Sequence, residues 1–336
     1  TSLGSVKLNG VFAQNRHNGV QSYKGAVTTD GFNIGRMLDK EQLLGSASVD
    51  VTVDVTRRGN DVSGTGTGKV NHFDFKGYRY SDIVADLNIS KDLYEGVLSI
   101  NDPNLKLSAS GSYANDEMQL ELQAHASDIN FANLNLNDKH PNHNLAFDAE
   151  ASLSAHDIYE AVGNIMLHNI NFTDADDKGV HINDVIVNSL IDDNGTQSIS
   201  INSDIVNGEV TGSFNWRNIG KAINNMVAAA MPSIIDTKEI TLQPGARCND
   251  FSYSLNISVP EEINSFLKLP INIIVPITIS GSVNDRYGHA DLNINAPYLL
   301  QKNKIIENTW ARLSIGDDGE NLALTALTRM LLKKGK

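Results

Sequence analysis

Alternation of apolar and polar residues with a period of two is the feature that most constrains the fold of this chain. Residues 49–56 read VDVTVDVT, and residues 251–259 read FSYSLNISV. Because successive side chains of a strand point to opposite faces of a sheet, each stretch predicts a strand with one apolar and one polar face. The pattern recurs in shorter form along the chain, so the sequence predicts a mainly β protein.

Turn residues separate the alternating stretches. Examples are Asn115-Asp116, the DNG at 193–195, the DRYG at 285–288 and the DDG at 317–319. Asn, Asp and Gly are the residues that tight turns favour. The strands follow one another at intervals of about 10–15 residues, and this spacing predicts antiparallel neighbours joined by short turns.

Helical periodicity is confined to a few short segments. Residues 217–231 place apolar residues on one stripe, and Pro232 ends the pattern. Residues 260–268 begin with Pro260 and two glutamates, as the first turn of a helix prefers. Residues 35–44 predict one or two further turns. The tail at 321–332 fits a strand and a helix equally well.

Composition excludes several classes of function. The chain has 27 basic and 40 acidic residues, a net charge of −13, which argues against binding nucleic acid and against general adsorption on anionic lipid. The single Cys248 excludes an intramolecular disulfide. The most apolar stretch, residues 271–281, is much shorter than the ~20 residues of a membrane-spanning helix.

An internal repeat about 100 residues long organises the sequence. Matched positions such as Asp82 and Asp184 lie 102 residues apart, and Gly111 and Gly212 lie 101 apart. We therefore expect a first β repeat unit at 1–117, a second at 118–216, and a helix-containing divergent β unit at 217–336.

Repeats of antiparallel strands predict one elongated sheet, and its apolar face needs cover. We expect the sheet to curl into a half-pipe, or β-taco, with a hydrophobic groove and a few short helices. The alternative is that the same apolar residues form the dry core of an ordinary sandwich or barrel. Alternation alone favours this alternative, and the repeat favours the accessible groove.

Two motifs carry a family resemblance. FDFKGYRYSDI at 73–83 and INDPNLKLSASGSY at 100–113 resemble the TamB-type proteins of the AsmA-like superfamily, particularly the versions from Bacteroidetes. SISINSDIVNGEVTGSFNW at 198–216 is similar to another unit of that family. The resemblance covers essentially the whole chain. Each motif is degenerate, and the specificity lies in their order.

The resemblance implies a periplasmic bridge-like protein whose hydrophobic β groove moves phospholipids between the inner and outer membranes in outer-membrane biogenesis. It further implies an N-terminal helix that anchors the protein in the inner membrane. A C-terminal region would contact a barrel of the BamA or TamA type in the outer membrane. We expect both regions to lie outside this sequence, which would then be an internal segment.

The apolar positions of the alternating stretches predict the groove lining. The predicted lipid-contacting residues are Val49, Val51, Val53, Val55, Ile83, Leu87, Leu105, Leu107, Leu120, Leu122, Ile199, Ile201, Phe251, Leu255 and Ile257. Each methylene removed from water contributes ~0.8 kcal/mol, so phospholipid acyl chains could bind without specific polar contacts.

We expect a non-enzymatic segment with no catalytic residues, cofactor or metal. One alternative is a scaffold for outer-membrane protein assembly that binds strands by β-augmentation. A polysaccharide-active or adhesive repeat protein is a weaker alternative, because Trp216 and Trp310 are too few to make a sugar-binding platform.

Other patterns suggest a chemical site, but their residues do not have the spacing that such a site requires. SGTGTGKV at 63–70 has Ser63 where a phosphate-binding loop needs its first glycine, and Val70 where it needs Ser or Thr. The His140 and His143 pair has no third ligand at a defined spacing. The aspartates at 174, 176 and 177 do not match a calcium loop. We expect strands and solvated turns there.

Overall fold

We describe a computed structural model of the chain. It describes residues 3–116, 118–136, 143–155, 161–174, 176, 178–215, 218–230, 248–302, 304–316 and 322–332. The protein is 70% strand and 6% helix, with antiparallel strands in a curled, unclosed arrangement and three short helices in the described part. The predicted fold class, mainly β with a curled antiparallel sheet and few short helices, is confirmed.

Unit 1 is the first of two compact units, and comprises Thr1–Ser154 and Leu167–His181. Its first ten strands are β1 (Ser5–Gln14), β2 (Gln21–Asp30), β3 (Phe32–Asn33), β4 (Leu44–Arg58), β5 (Asp61–Phe75), β6 (Tyr78–Ile89), β7 (Leu93–Asp102), β8 (Leu105–Ala114), β9 (Gln119–Ile129) and β10 (Asn144–Ser154). Helix α1 spans Ile34–Met37. Each of these strands pairs with the next in antiparallel fashion, with one exception. Strand β2 pairs with β4, and the short β3 also pairs with β4.

Unit 2 comprises Ala155–Met166 and Ile182–Lys336. Strands β11 (Val162–Thr173) and β12 (Gly179–Ile191) are divided between the units. The remaining elements are β13 (Gln197–Ser203), β14 (Val206–Ser213), α2 (Ile219–Ala230), β15 (Asp250–Ile257), α3 (Glu261–Leu267), β16 (Asn272–Ile273), β17 (Ile277–Asn284), β18 (His289–Gln301), β19 (Lys304–Ile315) and β20 (Leu322–Leu332). These strands also form an antiparallel ladder, in which β15 pairs with β17 and the short β16 pairs with β18.

The helices agree with the sequence predictions, with changed lengths. α2 and α3 lie within the predicted 217–231 and 260–268, whereas α1 takes only four residues near the start of 35–44. Residues 217 and 231 lie outside the described part of the chain. The ambiguous tail forms β20, because it pairs with β19 from Leu322 to Leu332. The predicted repeat boundaries at 117 and 216 stay a prediction.

Strand register collects the apolar residues of unit 1 on one face. Residues directly opposite each other on neighbouring strands share a face of the sheet. One row crosses nine strands, from β1 to β10, through Leu8, Val27, Val51, Gly68, Ala85, Leu98, Ala109, Ala124 and Ala149. A row on the other face runs through Asp50, Lys69, Val84, Ser99, Ser108, His125 and Asp148. Unit 1 therefore has an apolar face and a predominantly polar face.

Left-handed residues interrupt the alternation near one end of these strands. Asp82 and Asp128 have φ of 51° and 55°, and aspartate is among the few residues that tolerate this conformation. The register between β9 and β10 shifts next to Asp128, and that between β4 and β5 shifts after Ser48. Such bulges change which face the subsequent side chains occupy. Tyr78 and Tyr80, beyond Asp82 on β6, pack on the same apolar cluster as Leu107.

Within the described residues, no helix combines the length and the apolar character that crossing a membrane requires.

Candidate functional site

Ten of the predicted groove residues lie on the apolar face of unit 1. Val53 and Leu87 both lie opposite Gly66, and Val49 and Ile83 both lie opposite Val70. The row through Ile83 continues to Leu107 on β8, and the row through Leu87 continues to Leu122 on β9. The ten residues are Val49, Val51, Val53, Val55, Ile83, Leu87, Leu105, Leu107, Leu120 and Leu122. Sequence alternation thus placed ten residues from four strands on one surface.

This apolar face is open. Leu87 is 46% exposed and Leu122 is 39% exposed, and all ten residues are half-buried or exposed. A dry core would bury most of these side chains completely. Between β6 and β9 the face forms an apolar depression of about 470 Å³. Its lining includes Leu87, Ile89, Tyr94, Leu98, Tyr113 and Leu120.

Two facing glycines lie at the floor of this depression. Gly96 on β7 lies directly opposite Gly111 on β8, between Leu87 and Leu122. A Cβ atom at position 111 would lie 2.6 Å from the backbone oxygen of Glu121, closer than real contacts allow. The glycine therefore permits a close approach of β8 and β9, and it leaves space above the backbone.

Tyrosines line one side of the depression. Tyr94 and Tyr113 lie opposite each other, with ring centroids 6.2 Å apart. The row that contains them also holds Phe12, Tyr23 and Leu120 on other strands. The sequence prediction omitted these aromatic residues, although Tyr113 falls at a regular alternating position of β8.

A packed cluster closes one end of the apolar face. Ala126, Ile129 and Leu134 are buried there, and Leu105 and Leu107 pack against them with Tyr78 and Tyr80. Leu134 belongs to the turn after β9. At this end the predicted lining residues are part of a local core, whereas Leu87, Leu120 and Leu122 remain open.

A buried carboxylate holds this closed end together. Asp102 is 1% exposed, and its carboxylate accepts hydrogen bonds from the Tyr78 hydroxyl, from the Ser81 N–H and hydroxyl at 2.9 Å each, and from the Asn104 N–H at 2.9 Å. The Asn104 side-chain amide also donates to the Tyr78 oxygen, over 3.0 Å. Burial acts to raise the pKa of Asp102, but the hydrogen bonds outweigh it and the pKa is lowered. The residues of the YRYSDI and INDPN motifs therefore form a structural lock.

One hydrogen bond of this arrangement recurs 102 residues later in unit 2, between two exposed residues. The Asn183 N–H donates to the Asp204 carboxylate at 2.9 Å, as the Ser81 N–H does to Asp102. Both partners are displaced by 102 positions, which equals the offset between Asp82 and Asp184. This pair of contacts is a structural counterpart of the internal repeat. The match between the motifs does not reveal this contact, because it compares residue types. It does not show which carboxylate accepts a hydrogen bond from which backbone N–H.

The other five predicted residues lie in unit 2. Ile201 and Leu255 both lie opposite Gly208, Ile257 lies opposite Val206, and Ile199 lies opposite Val210 in the next row of that face. Phe251 is only 9% exposed and packs with Phe214, Val283 and Ile315. Ile199 and the first residue of α2, Ile219, pack against this cluster. Unit 2 therefore has a packed core at Phe251, and Leu255 and Ile257 are half-buried.

The polar face carries ion pairs that remain in contact with water. Lys24 pairs with Asp54, and Lys69 pairs with Asp82, each at 2.6 Å with exposed side chains. Such pairs contribute roughly 0–1 kcal/mol each. They keep this face hydrated, in contrast to the apolar face.

The structure also gives positions for several of the other candidate sites. Residues 63–70 lie within β5. Cys248 lies 3.8 Å from the Arg286 guanidinium. His140 and Asp177 lie outside the described residues. Among those described, no group of three or more His, Cys, Asp or Glu residues is arranged to hold a metal ion.

Comparison of the chain with protein-family models, with curated proteins and with solved structures finds no match. The resemblance to TamB-type proteins thus rests on the sequence motifs alone.

Proposed function

We propose that this chain is a non-enzymatic segment of a periplasmic bridge-like protein, and that the apolar face of unit 1 shields lipid acyl chains. The single observation that carries the proposal is the open state of that face. Ten predicted residues share it, and its middle is a depression rather than a packed core. Soluble proteins rarely leave a continuous apolar surface uncovered unless something binds there.

The chemistry of the depression suits an alkyl chain. Its side chains are aliphatic or aromatic, and each charged residue at its border, such as Glu95 or Glu121, points its side chain toward the polar face by strand alternation. Contact with five methylenes would contribute about 4 kcal/mol. Such binding has no directional requirement, so a chain could slide from row to row. Passive movement of phospholipids between the two membranes is consistent with such a surface.

The periplasmic location and the outer-membrane barrel partner are parts of the proposal that derive from the motif resemblance. The net charge of −13 supports solubility of the polar face. It also leaves lipid tails as a more suitable ligand than anionic headgroups over most of the surface.

A strand-binding scaffold is the second candidate function, and strand β1 favours it. All ten residues of β1 are exposed, and among the described strands β1 pairs with β2 alone. Its free edge could accept an additional strand. A scaffold of this kind would capture unfolded outer-membrane strands and would need no lipid.

Purification without detergent, then lipid extraction and mass spectrometry, tests the proposal. We expect phospholipid to accompany the chain through size-exclusion chromatography at a constant molar ratio, because burial of the acyl chain opposes its loss to water. A lipid-free chain that captures strand peptides would favour the scaffold instead.

A further inference from the structure

One end of unit 2 presents apolar and basic residues together. The segment Lys268–Val275 comes after α3, and β16 within it pairs with β18 through Asn272 and Leu300. Lys302 lies in the turn between β18 and β19, where Gln301 is opposite Lys304. Leu300, the partner of Asn272, lies two residues before Lys302. We call the segment Lys268–Val275, together with Lys302 and Lys304, the basic tip.

Hydrogen bonds hold the longer segment in place. The Leu269 N–H donates to the Asn264 carbonyl at 3.1 Å, and the buried Asn264 side chain donates to the Ile271 carbonyl at 2.6 Å. The Ile274 N–H donates to the Tyr298 carbonyl at 3.2 Å. These hydrogen bonds attach the start of the segment to α3 and its end to β18.

Apolar side chains nevertheless project into solvent from this fixed loop. Ile274 is 51% exposed, and Leu269 and Val275 are exposed as well. Pro270 and Pro276 flank the β16 portion and restrict its backbone. Since the backbone cannot easily turn these side chains inward, the exposure is a property of the fold.

The charge of the basic tip is opposite to that of the whole chain. Lys268, Lys302 and Lys304 are exposed. The basic tip therefore carries three exposed lysines in a chain whose net charge is −13.

Few acidic residues counter this charge among the described neighbours of the tip. Glu307 lies opposite Arg329 in the β19–β20 ladder. Glu261 and Glu262 occupy the first turn of α3. They lie about 10 Å from Lys268 along the helix, close to the distance at which physiological salt screens exposed charges.

We infer that the basic tip docks on the surface of an anionic lipid bilayer. The lysines would contact headgroup phosphates, and Leu269, Ile274 and Val275 would enter the boundary between headgroups and acyl chains. Exposed lysines together with exposed apolar side chains are what interfacial membrane binding requires. The inference rests on the proposed function, because it gives the acyl-binding chain a place of contact with a membrane.

Flotation with vesicles tests the inference. One set of vesicles contains phosphatidylcholine alone, and the other contains phosphatidylcholine with phosphatidylglycerol. The variant K268Q/K302Q/K304Q is compared with K7Q/K91Q/K178Q, which removes three exposed lysines of unit 1. Each lysine near an anionic surface contributes about fivefold in affinity, so the tip variant should bind anionic vesicles on the order of 100-fold more weakly. The control should bind like the wild type, and L269S/I274S should lose the binding that remains at high salt.

The outcomes separate this inference from the proposed function. Equal binding of the wild type to both vesicle sets, or equal losses in the two lysine variants, would overturn docking at the basic tip. The same purified proteins are extracted for lipid mass spectrometry. A tip variant that no longer floats but still carries phospholipid supports docking and leaves acyl binding intact. A wild-type chain that carries phospholipid but does not float would defeat the inference alone.

Discussion

Replacing Asp102 by alanine is expected to lower the stability of unit 1 by about 4 kcal/mol. The substitution would leave the Tyr78 hydroxyl, the Ser81 N–H and hydroxyl, and the Asn104 N–H without their acceptor at a buried site. Each unsatisfied buried group costs about 1–3 kcal/mol, and some would find water or another partner. Both tryptophans belong to unit 2, so tryptophan fluorescence would not report on unit 1. Hydrogen–deuterium exchange of peptides from β6, β7 and β8 is therefore the suitable measurement, and their protection should fall.

Asp86→Ala is the matched control for this change. Asp86 lies exposed on the polar face of β6, and an exposed position of this kind usually changes stability by less than about 0.5 kcal/mol. Asp102→Asn should have an intermediate effect, since one oxygen acceptor remains. If Asp102→Ala and Asp86→Ala showed the same exchange rates, the Asp102 carboxylate would not stabilise this end of unit 1.

The lock also predicts a dependence on pH. The pKa of Asp102 is lowered in the folded state, whereas an unfolded aspartate titrates near ~3.9. Its contribution to stability is therefore present above the unfolded value, and it is lost as the pH falls through the lower folded pKa. Asp102→Asn should remove this part of the acid sensitivity, which acid titration of the same exchange rates would measure.

The second large effect is expected from charge placed in the apolar depression. The double variant L87E/L122E should weaken the binding of a fluorescent fatty acyl probe by about 1,000-fold or more. Each glutamate would have to lose its water, or become protonated, beneath the acyl chain, at a cost of at least about 2 kcal/mol. Both leucines are partly exposed in the free protein, so the fold itself should tolerate the change. Titration of the probe, monitored by its fluorescence, measures the effect.

Val84→Glu provides the control for this prediction. Val84 is on the same strand as Leu87 and is 49% exposed, but it lies on the polar face opposite Lys69. A glutamate at this position should leave probe binding unchanged. Circular dichroism of the wild type and both variants should be the same. Equal weakening by V84E and L87E/L122E would show that the probe does not distinguish the two faces.

The fold class and the apolar face could be predicted from the sequence because both depend on strand periodicity. The alternation at 49–56 determines which side of β4 is apolar, and antiparallel pairing transfers that choice to each neighbouring strand. The prediction of Leu87 and Leu122 on one surface needed only that each strand keeps its alternation. Tyr94 and Phe12 were absent from the predicted lining, although register places them on the same face.

Other features depend on contacts that periodicity does not encode. The left-handed backbone conformation of Asp82 lies between Ile83 and Tyr80, which packs with Leu107, and strand periodicity does not signal it. Whether an apolar row is open or packed depends on the segment that comes after the strand. The turn containing Leu134 covers the row end at Leu107, and α2 contributes Ile219 to the cluster at Phe251. No local pattern in β8 or β15 signals this cover.

Site-specific photo-crosslinking in cells tests acyl binding by the apolar face most directly. A photoreactive amino acid replaces Leu87 in one protein and Val84 in another, and crosslinked species are identified by mass spectrometry. The two positions are three residues apart on β6, are similarly exposed and lie on opposite faces. We predict phospholipid adducts at position 87 and none at position 84. Lipid adducts at both positions, or protein adducts alone at position 87, would contradict the proposal that this face shields acyl chains.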